Sequence, residues 1–147
     1  MKTIKSVMVA VFAMTAVFTV KADNDNPISF NQLPQLAQQF MHQYFSEKDV
    51  SFAKMERDLF SMSYEVFLVD GTKVEFKKDG EWGKVDCQKK EVPAGIVPQE
   101  ILKYIKEKHP NQFILEIERE KKYYEIQLNN GIEIKFNKQF IVIKYDD

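Results

Sequence analysis

Hydrophobic and polar residues follow two different periods along this chain. Between residues 33 and 45 apolar side chains recur every three or four positions, which places them on one face of an α-helix. Asn31 has the side chain of an N-cap, and Pro34 suits a first helical turn. From Val50 the period changes to two, and turn residues interrupt it. This alternation predicts four strands near residues 50–58, 62–69, 72–77 and 82–87.

The same order of elements is predicted a second time. A polar linker at 88–95 leads to a shorter apolar stripe, which Pro110 ends. Four more strands are predicted near 113–120, 123–128, 132–137 and 140–145. The pattern therefore predicts an α+β protein made of two units, residues 31–87 and 96–147, with a flexible polar segment at 23–30 before them.

One phrase of thirteen residues occurs in both predicted units. It reads YEVFLVDGTKVEF at residues 64–76 and YEIQLNNGIEIKF at residues 124–136. A three-residue turn with its glycine in the left-handed conformation keeps the apolar residues of both strands on one face. This turn pairs Tyr64 with Phe76 and Tyr124 with Phe136 on the inner face, and Glu65 with Glu75 on the outer face.

The following hairpin of the first unit is predicted to have a two-residue turn, Asp79-Gly80. That turn sets Glu75 against Lys84 and Lys73 against Asp86, so that charges alternate in sign across the outer face. It also directs Cys87 inward, beside Thr72. The same register predicts that three aromatic side chains point away from the helices: Phe67, Trp82 and Tyr123.

These aromatic side chains define a candidate partner-binding surface together with the charges around them. The surface comprises Phe67, Trp82, Tyr123, Lys73, Glu75 and Lys84. Large aromatic residues dominate the energetics of protein interfaces. Alternatively, they cover one another across neighbouring strands, at about 0.2 to 1 kcal/mol per pair. The sequence leaves both interpretations open.

The start of the chain has the form of a secretory signal peptide. Lys2 and Lys5 precede an uncharged apolar run that ends before Ala22. Cleavage near Ala22 predicts an exported, periplasmic or secreted protein, with no membrane span in the mature chain. The formal charge of the full chain is −1, and without this segment it is about −4. A mildly acidic chain without a basic cluster does not favour nucleic-acid binding.

Catalytic and metal-binding patterns are not recognisable in the sequence, and no cofactor is predicted. His42 and His109 are far apart, with no cysteine or acid at ligand spacing, and both are interpreted as structural or solvated. Cys87 is the single cysteine, and it is interpreted as buried and inert. The Asp-Gly and Asn-Gly pairs are interpreted as turns, because the spaced acids of a calcium loop are missing.

The repeated phrase, extended in the first unit by Lys77-Lys78-Asp79-Gly80-Glu81-Trp82, resembles the PepSY-like secreted proteins of Bacteroides-type bacteria. These proteins are similar in fold to the β-lactamase inhibitor protein. The resemblance covers the chain after the signal peptide. It implies a tandem repeat of a helix plus a four-stranded antiparallel sheet, forming one eight-stranded sheet with both helices on one face. The second unit departs from the pattern, because its last turn, at 138–140, lacks a glycine and the tryptophan is absent.

Two classes of function follow from the resemblance and the outer face. In the first, the protein is a non-enzymatic exported module that binds a periplasmic or extracellular protein or peptide, for example an envelope peptidase that it inhibits. In the second, it is a structural or envelope-stress protein, or it carries a small hydrophobic molecule between helices and sheet. A cavity under Phe40, Tyr44, Tyr64 and Phe76 would favour the carrier. Neither oligomeric state nor partner identity follows from the sequence.

Overall fold

In the part of the chain that the structure describes, nine antiparallel strands form a single sheet, and their order across the sheet is their order along the chain. The computed structural model describes residues 25–147, and the predicted signal peptide at 1–22 lies outside the described residues. The strands are β1 Asp25–Ile28, β2 Val50–Arg57, β3 Met62–Leu68, β4 Lys73–Lys77, β5 Trp82–Asp86, β6 Ile114–Arg119, β7 Tyr123–Leu128, β8 Glu133–Asn137 and β9 Val142–Asp146.

The prediction of eight strands was wrong by one. Residues 25–28, expected to lie in a flexible segment, form β1 and pair with β2, with Asn26 opposite Met55. Lys54 of β2 also contacts Asp25 of β1, at 2.7 Å between Nζ and Oδ2. The four residues Asp-Asn-Pro-Ile carry no recognisable strand period, so the free hydrogen-bonding edge of β2 determines their conformation.

Two helices, α1 (Gln35–Tyr44) and α2 (Gln99–Lys108), precede the strand groups β2–β5 and β6–β9. The prediction of Asn31 as the N-cap was wrong, because Asn31 lies in a short 3-10 turn, Phe30–Gln32. Pro34 disfavours a helical conformation at the residue before it, and Leu33 is accordingly extended. The α-helix can therefore begin only after the proline, at Gln35.

The core lies between the helices and one face of the sheet. A row of directly paired residues crosses this face from β2 to β8, and each is at most 2% exposed: Ala53, Val66, Val74, Val85, Ile117, Ile126 and Ile134. Phe76 and Phe136, which follow Val74 and Ile134 of this row by two positions along their strands, contact the helices. Phe40 of α1 packs edge-on against Phe76, at 5.5 Å between ring centroids, and Tyr104 of α2 packs against Phe136 at 5.3 Å. Both helices thus cover the same face.

The turns of the two repeated phrases have the predicted geometry. Leu68 accepts a hydrogen bond from Gly71 and donates one to Thr72, and Leu128 does the same with Gly131 and Ile132. The glycines have φ angles of 93° and 89°. The resulting pairs, Tyr64 with Phe76 and Tyr124 with Phe136, confirm the predicted register.

The turn between β4 and β5 differs from the prediction. Lys77 and Glu81 close it through a backbone hydrogen bond of 2.8 Å, so the turn has three residues, 78–80, rather than two. The register is offset again between Glu75 and Phe76, where β5 contains a bulge. The two offsets cancel, so Glu75 still lies opposite Lys84 as predicted. Between the turn and the bulge, however, side chains face the opposite way from the prediction.

Candidate functional site

The outer face of the sheet, opposite the helices, carries a continuous row of charged residues. Successive strands from β2 to β9 place these residues opposite one another: Lys54, Glu65, Glu75, Lys84, Glu118, Glu125, Lys135 and Lys144. Beside this row, Phe52, Phe67, Lys73 and Asp86 are paired in the same order on β2 to β5. Alternation of side chains along each strand places both rows on the same face.

Two phenylalanines form an aromatic patch at the β2–β3 end of this face. The rings of Phe52 and Phe67 are stacked, with centroids 4.4 Å apart and planes 12° from parallel. Phe52 is 51% exposed, and Phe67 is half-buried beside it. The ammonium groups of Lys54 and Lys73 lie 5.8 and 5.7 Å from the Phe67 centroid, within cation–π range. Phe52, Phe67 and these lysines are called the aromatic patch below.

A buried carboxylate holds the two lysines of the aromatic patch in place. Glu65 is 5% exposed and accepts contacts from Lys73 Nζ at 2.7 Å and from Lys54 Nζ at 3.0 Å. Burial by itself would raise the pKa of Glu65, but the contacts and positive charges of Lys73 and Lys54 outweigh it and lower the pKa. Lys73 also reaches Glu75 at 2.9 Å, so one ammonium group bridges the two carboxylates that the strand register sets side by side.

Four of the six candidate residues lie together on the outer face: Phe67, Lys73, Glu75 and Lys84. Although Lys84 lies opposite Glu75, its ion pair is formed with Glu116 of β6, at 2.9 Å. Tyr123 also faces outward, as predicted, because its neighbour Tyr124 pairs with Phe136 of the core. It lies on β7, where Lys135 Nζ is 4.2 Å from its ring centroid. The aromatic patch and Tyr123 therefore occupy different halves of the sheet.

The prediction that Trp82 faces outward was wrong. Trp82 pairs with the core residue Phe76 and packs on the helix side, with its ring 6.1 Å from that of Phe40. Arg119 covers it, with its guanidinium carbon 4.3 Å from the ring centroid, and donates hydrogen bonds to the Trp82 carbonyl oxygen. The three-residue turn and the bulge together cause this reversal, because each shifts the register by one position.

Phe52, Lys54 and Glu65 complete the site, and none of them was a candidate from the sequence. The alternation of β2 could have identified the first two, since Phe52 and Lys54 alternate with the inward-facing Ala53 and Met55. Pairing with Phe67 has the same register as that of Lys54 with Glu65, and the two-residue turn Leu59-Phe60, which contains no glycine, asparagine or proline to indicate it, sets that register.

A second apolar feature is the tip of the β2–β3 hairpin. Leu59 and Phe60 form its two-residue turn, closed by a hydrogen bond from the Asp58 amide to the Ser61 carbonyl. The two side chains are 89% and 99% exposed. The tip lies beyond the end of β2 opposite to Phe52, so it is separate from the aromatic patch.

The two histidines and the cysteine, the side chains most often used in catalysis or metal binding, lie outside the aromatic patch. His42 contacts Glu47 at 3.0 Å, and the ring of His109 stacks on Tyr145 with centroids 5.7 Å apart. Cys87 is 4% exposed, and its burial raises the pKa of its thiol to about 11. Within residues 25–147 no group of three or more His, Cys, Asp or Glu side chains is placed to hold a metal ion.

A depression that is open to solvent lies on the helix side of the sheet, beside Phe40, Tyr44 and Trp82. It has a volume of about 220 Å³ and lies between α1, the β4–β5 turn and the segment around Gly95. Phe40, Tyr44 and Trp82 form its apolar wall. Neither helix in the described part of the chain is long and apolar enough to cross a membrane.

Comparison with known proteins identifies relatives across most of the chain. The family model described as "Putative beta-lactamase-inhibitor-like, PepSY-like" matches residues 62–144. None of the curated proteins matches the chain.

Three solved structures from Bacteroides share the fold and much of the sequence. A "putative periplasmic protein" of the DUF2874 family from Bacteroides vulgatus is 48% identical, with a TM-score of 0.82, and the match covers 86% of this chain and 99% of that one. A "putative calcium-regulated periplasmic protein" from Bacteroides thetaiotaomicron is also 48% identical, with the same coverage of both chains and a TM-score of 0.83. A "putative periplasmic protein of unknown function" from Bacteroides vulgatus is 38% identical, with a TM-score of 0.79 and coverage of 84% and 99%.

Proposed function

The chain belongs to the PepSY-like family, and from this premise we propose that it is an exported, non-enzymatic module that binds a polypeptide partner through its aromatic patch. The observation that carries the proposal is the stacked pair of Phe52 and Phe67 on an otherwise charged outer face, with half of Phe52 exposed. Burial of the exposed half of one phenylalanine contributes about 1 kcal/mol, so the patch is a centre of binding rather than a complete interface.

The ion pairs around the aromatic patch prepare it for binding. The ammonium groups of Lys54 and Lys73 lie 3.0 and 2.7 Å from the Glu65 carboxylate, and Lys54 also contacts Asp25 and Glu56. Ordering a free lysine at an interface costs about 0.5 to 1.5 kcal/mol of side-chain entropy. Because the contacts within the sheet already restrict these lysines, a partner that lies on Phe52 pays less of that cost. The stems of the lysines then extend the apolar surface.

An envelope peptidase is the class of partner that we propose from the family resemblance. Three relatives are described as periplasmic, and the predicted signal peptide would bring this chain to the same compartment. The family is described as β-lactamase-inhibitor-like, which supports inhibition of an enzyme as the consequence of binding. One relative is described as calcium-regulated, so calcium belongs in the test as a separate condition.

A carrier of small hydrophobic molecules is the second candidate function. The observation that bears on it is the depression beside Phe40 and Tyr44, whose volume of about 220 Å³ is below the roughly 300–1,000 Å³ of typical ligand pockets. The ring of Phe40 contacts those of both Tyr44 and Phe76, so aromatic packing occupies the space where a ligand would lie. These observations favour the polypeptide partner.

The two halves of the chain are, we propose, copies of one unit of a helix and four strands. The ladders of β3 with β4 and of β7 with β8 have the same register sixty positions apart. Both second hairpins have a hydrogen-bonded three-residue turn and a register shift at the same place. The aromatic patch belongs to the first copy alone, since Gln127 stands on β7 where Phe67 stands on β3.

Site-specific photo-crosslinking in the periplasm tests the proposed binding surface. A photoreactive phenylalanine analogue replaces Phe52, Phe60 or Lys103, so that the aromatic patch, the hairpin tip and an exposed position on α2 are compared in one protein. We expect a discrete adduct from position 52, its loss in a Lys73→Glu background, and no such adduct from position 103. Calcium or a chelator is added in parallel.

Each outcome distinguishes the alternatives. An adduct from position 60 alone would replace the sheet face by the hairpin tip as the contact, and no specific adduct from either position would refute the polypeptide-binding proposal. The adduct is then identified by mass spectrometry, and the identified enzyme is assayed with wild-type protein and with the Phe52→Ala/Phe67→Ala variant. Equal inhibition by both proteins would contradict the assigned surface.

A further inference from the structure

The two edges of the sheet differ in how well they are protected. β1 at one edge has four residues and includes Pro27, which has no backbone N–H to offer to another strand. β9 at the other edge has five residues, Val142–Asp146, and no proline. Within the described residues β9 pairs with β8 alone, so its second row of backbone groups faces outward. Such a row is a template for a further strand.

β9 and the residue before it carry large apolar side chains, which are typical of a strand that has a neighbour on each side. Ile143 and Tyr145 of β9 are 55% and 41% exposed, and Ile141, which directly precedes the strand, is 61% exposed. The corresponding strand of the first half, β5, has its second edge covered by β6, and its Val85 is fully buried. Lys-x-Asp occurs in both strands, as Lys84 to Asp86 and as Lys144 to Asp146. The edge that β6 covers in one half is therefore open in the other.

We propose that β9 pairs in antiparallel fashion with β9 of a second copy of this chain, with Tyr145 opposite Tyr145 of the second copy. Directly opposed residues share a face of the sheet, so a symmetric pair of strands must have one residue on the two-fold axis. An axis at Lys144 or at Asp146 would oppose two like charges. An axis at Tyr145 places Lys144 of each copy opposite Asp146 of the other, and both charges of the strand are then matched.

Charge complementarity therefore selects both the occupant and the register. Lys144 and Asp146 already form an ion pair within the strand, at 2.9 Å, with 60% and 49% of their side chains exposed. Pairing of the strands replaces this contact by two contacts between chains. Each exposed ion pair contributes little, and two five-residue strands bury less area than the roughly 1,200 Å² of a stable interface. The dimer is consequently weak and depends on protein concentration.

The dimer is independent of the proposed binding function, because the aromatic patch lies at the far side of the sheet, on β2 and β3. A two-fold axis perpendicular to the sheet would leave both patches on the same face of an eighteen-stranded sheet. Failure of the dimer would leave the binding proposal unaffected, and the reverse also holds.

Sedimentation equilibrium of the exported protein purified from the periplasm tests the proposal. We expect the average mass of the wild type to rise towards that of two chains between about 10 µM and 1 mM. Lys144→Asp gives a chain with two acids on β9, and Asp146→Lys gives a chain with two lysines. Each variant alone should be monomeric at all concentrations, because each opposes like charges in the paired strands.

A mixture of the two variants is the decisive sample. Both variants have lost the ion pair within the strand, yet an acidic β9 opposite a basic β9 restores two complementary contacts. We expect the equimolar mixture to dimerise at least as strongly as the wild type. Lys121→Asp, a charge change on an exposed turn, serves as control and should leave the wild-type dimer unchanged. A wild type that stays monomeric up to about 1 mM, or a mixture that stays monomeric, would overturn the proposal.

Discussion

Gly80 lies where the β4–β5 turn packs against the start of α1. Replacing it by alanine tests how closely the turn and the helix are packed. Its φ angle is 90°, which favours glycine. A Cβ at this position would lie 2.8 Å from Cβ of Pro34 and 3.1 Å from Cβ of Leu36. Gly131 provides the matched control, since its φ angle is 89° and a Cβ there would meet nothing within 4 Å.

The two substitutions separate a conformational cost from a packing cost. A left-handed conformation costs an L-residue about 1–2 kcal/mol, and Gly131→Ala should lose that amount alone. Gly80→Ala should lose the same amount and about 1–3 kcal/mol more, because the ring of Pro34 cannot rotate away and the helix must shift. We therefore expect a total loss of about 2–5 kcal/mol in the free energy of unfolding for Gly80→Ala.

Urea unfolding followed by circular dichroism measures both losses under one set of conditions. Each lost kcal/mol should also lower the melting temperature by roughly 3–6 °C for a domain of this size. The reasoning would be refuted if the two variants lost equal amounts of stability, because the turn would then not be fixed against α1. Unequal m-values would show instead that a substitution had changed the unfolded or native ensemble.

Three further predictions concern single side chains. Burial and nearby Glu120 raise the pKa of Glu118 to about 7. The folded state therefore holds this proton more tightly than the unfolded state does. As a result, the free energy of unfolding falls as the pH rises from about 4.5 to 7. Glu118→Gln should flatten this dependence and gain on the order of 1 kcal/mol at pH 8; thermal melts showing the wild-type slope in the variant would contradict it. Cys87 should react with a thiol reagent at least about a hundredfold more slowly in the native protein than in urea, and rapid native labelling would be inconsistent with its burial. Trp82→Ala should lose about 2–4 kcal/mol because its ring packs beneath Arg119, whereas an unchanged melting temperature would place Trp82 on the outer face.

The repeated hairpin was predictable because its determinants are local. Alternation fixes which residues share a face, and a glycine at the third turn position fixes the register. Tyr64 opposite Phe76 and Glu65 opposite Glu75 follow from these two rules, and the structure has both pairs. The outward positions of Phe67 and Lys73 follow in the same way.

Trp82 was mispredicted for a reason that also lies in the turn. Asp79-Gly80 is compatible with a turn of two residues or three, and the approach of Gly80 to Pro34 of α1 accompanies the longer one. A compensating bulge then restores the pairing of Glu75 with Lys84. The pairing of the charged residues was therefore predicted correctly, although the predicted direction of the Trp82 side chain was wrong.

By itself, the sequence determined the helices, the eight strands with a regular period and the inner faces, because side-chain periodicity and turn chemistry act within a few residues. Tertiary structure alone decided the ninth strand, the direction of Trp82 and the stacking of Phe52 on Phe67. The first two depend on contacts between segments distant in the chain, β1 with the edge of β2 and the turn with α1. The third depends on a two-residue turn, Leu59-Phe60, whose apolar residues carry no turn signal. The burial of Glu65 between two lysines was also decided by the tertiary structure, since its partners come from different strands.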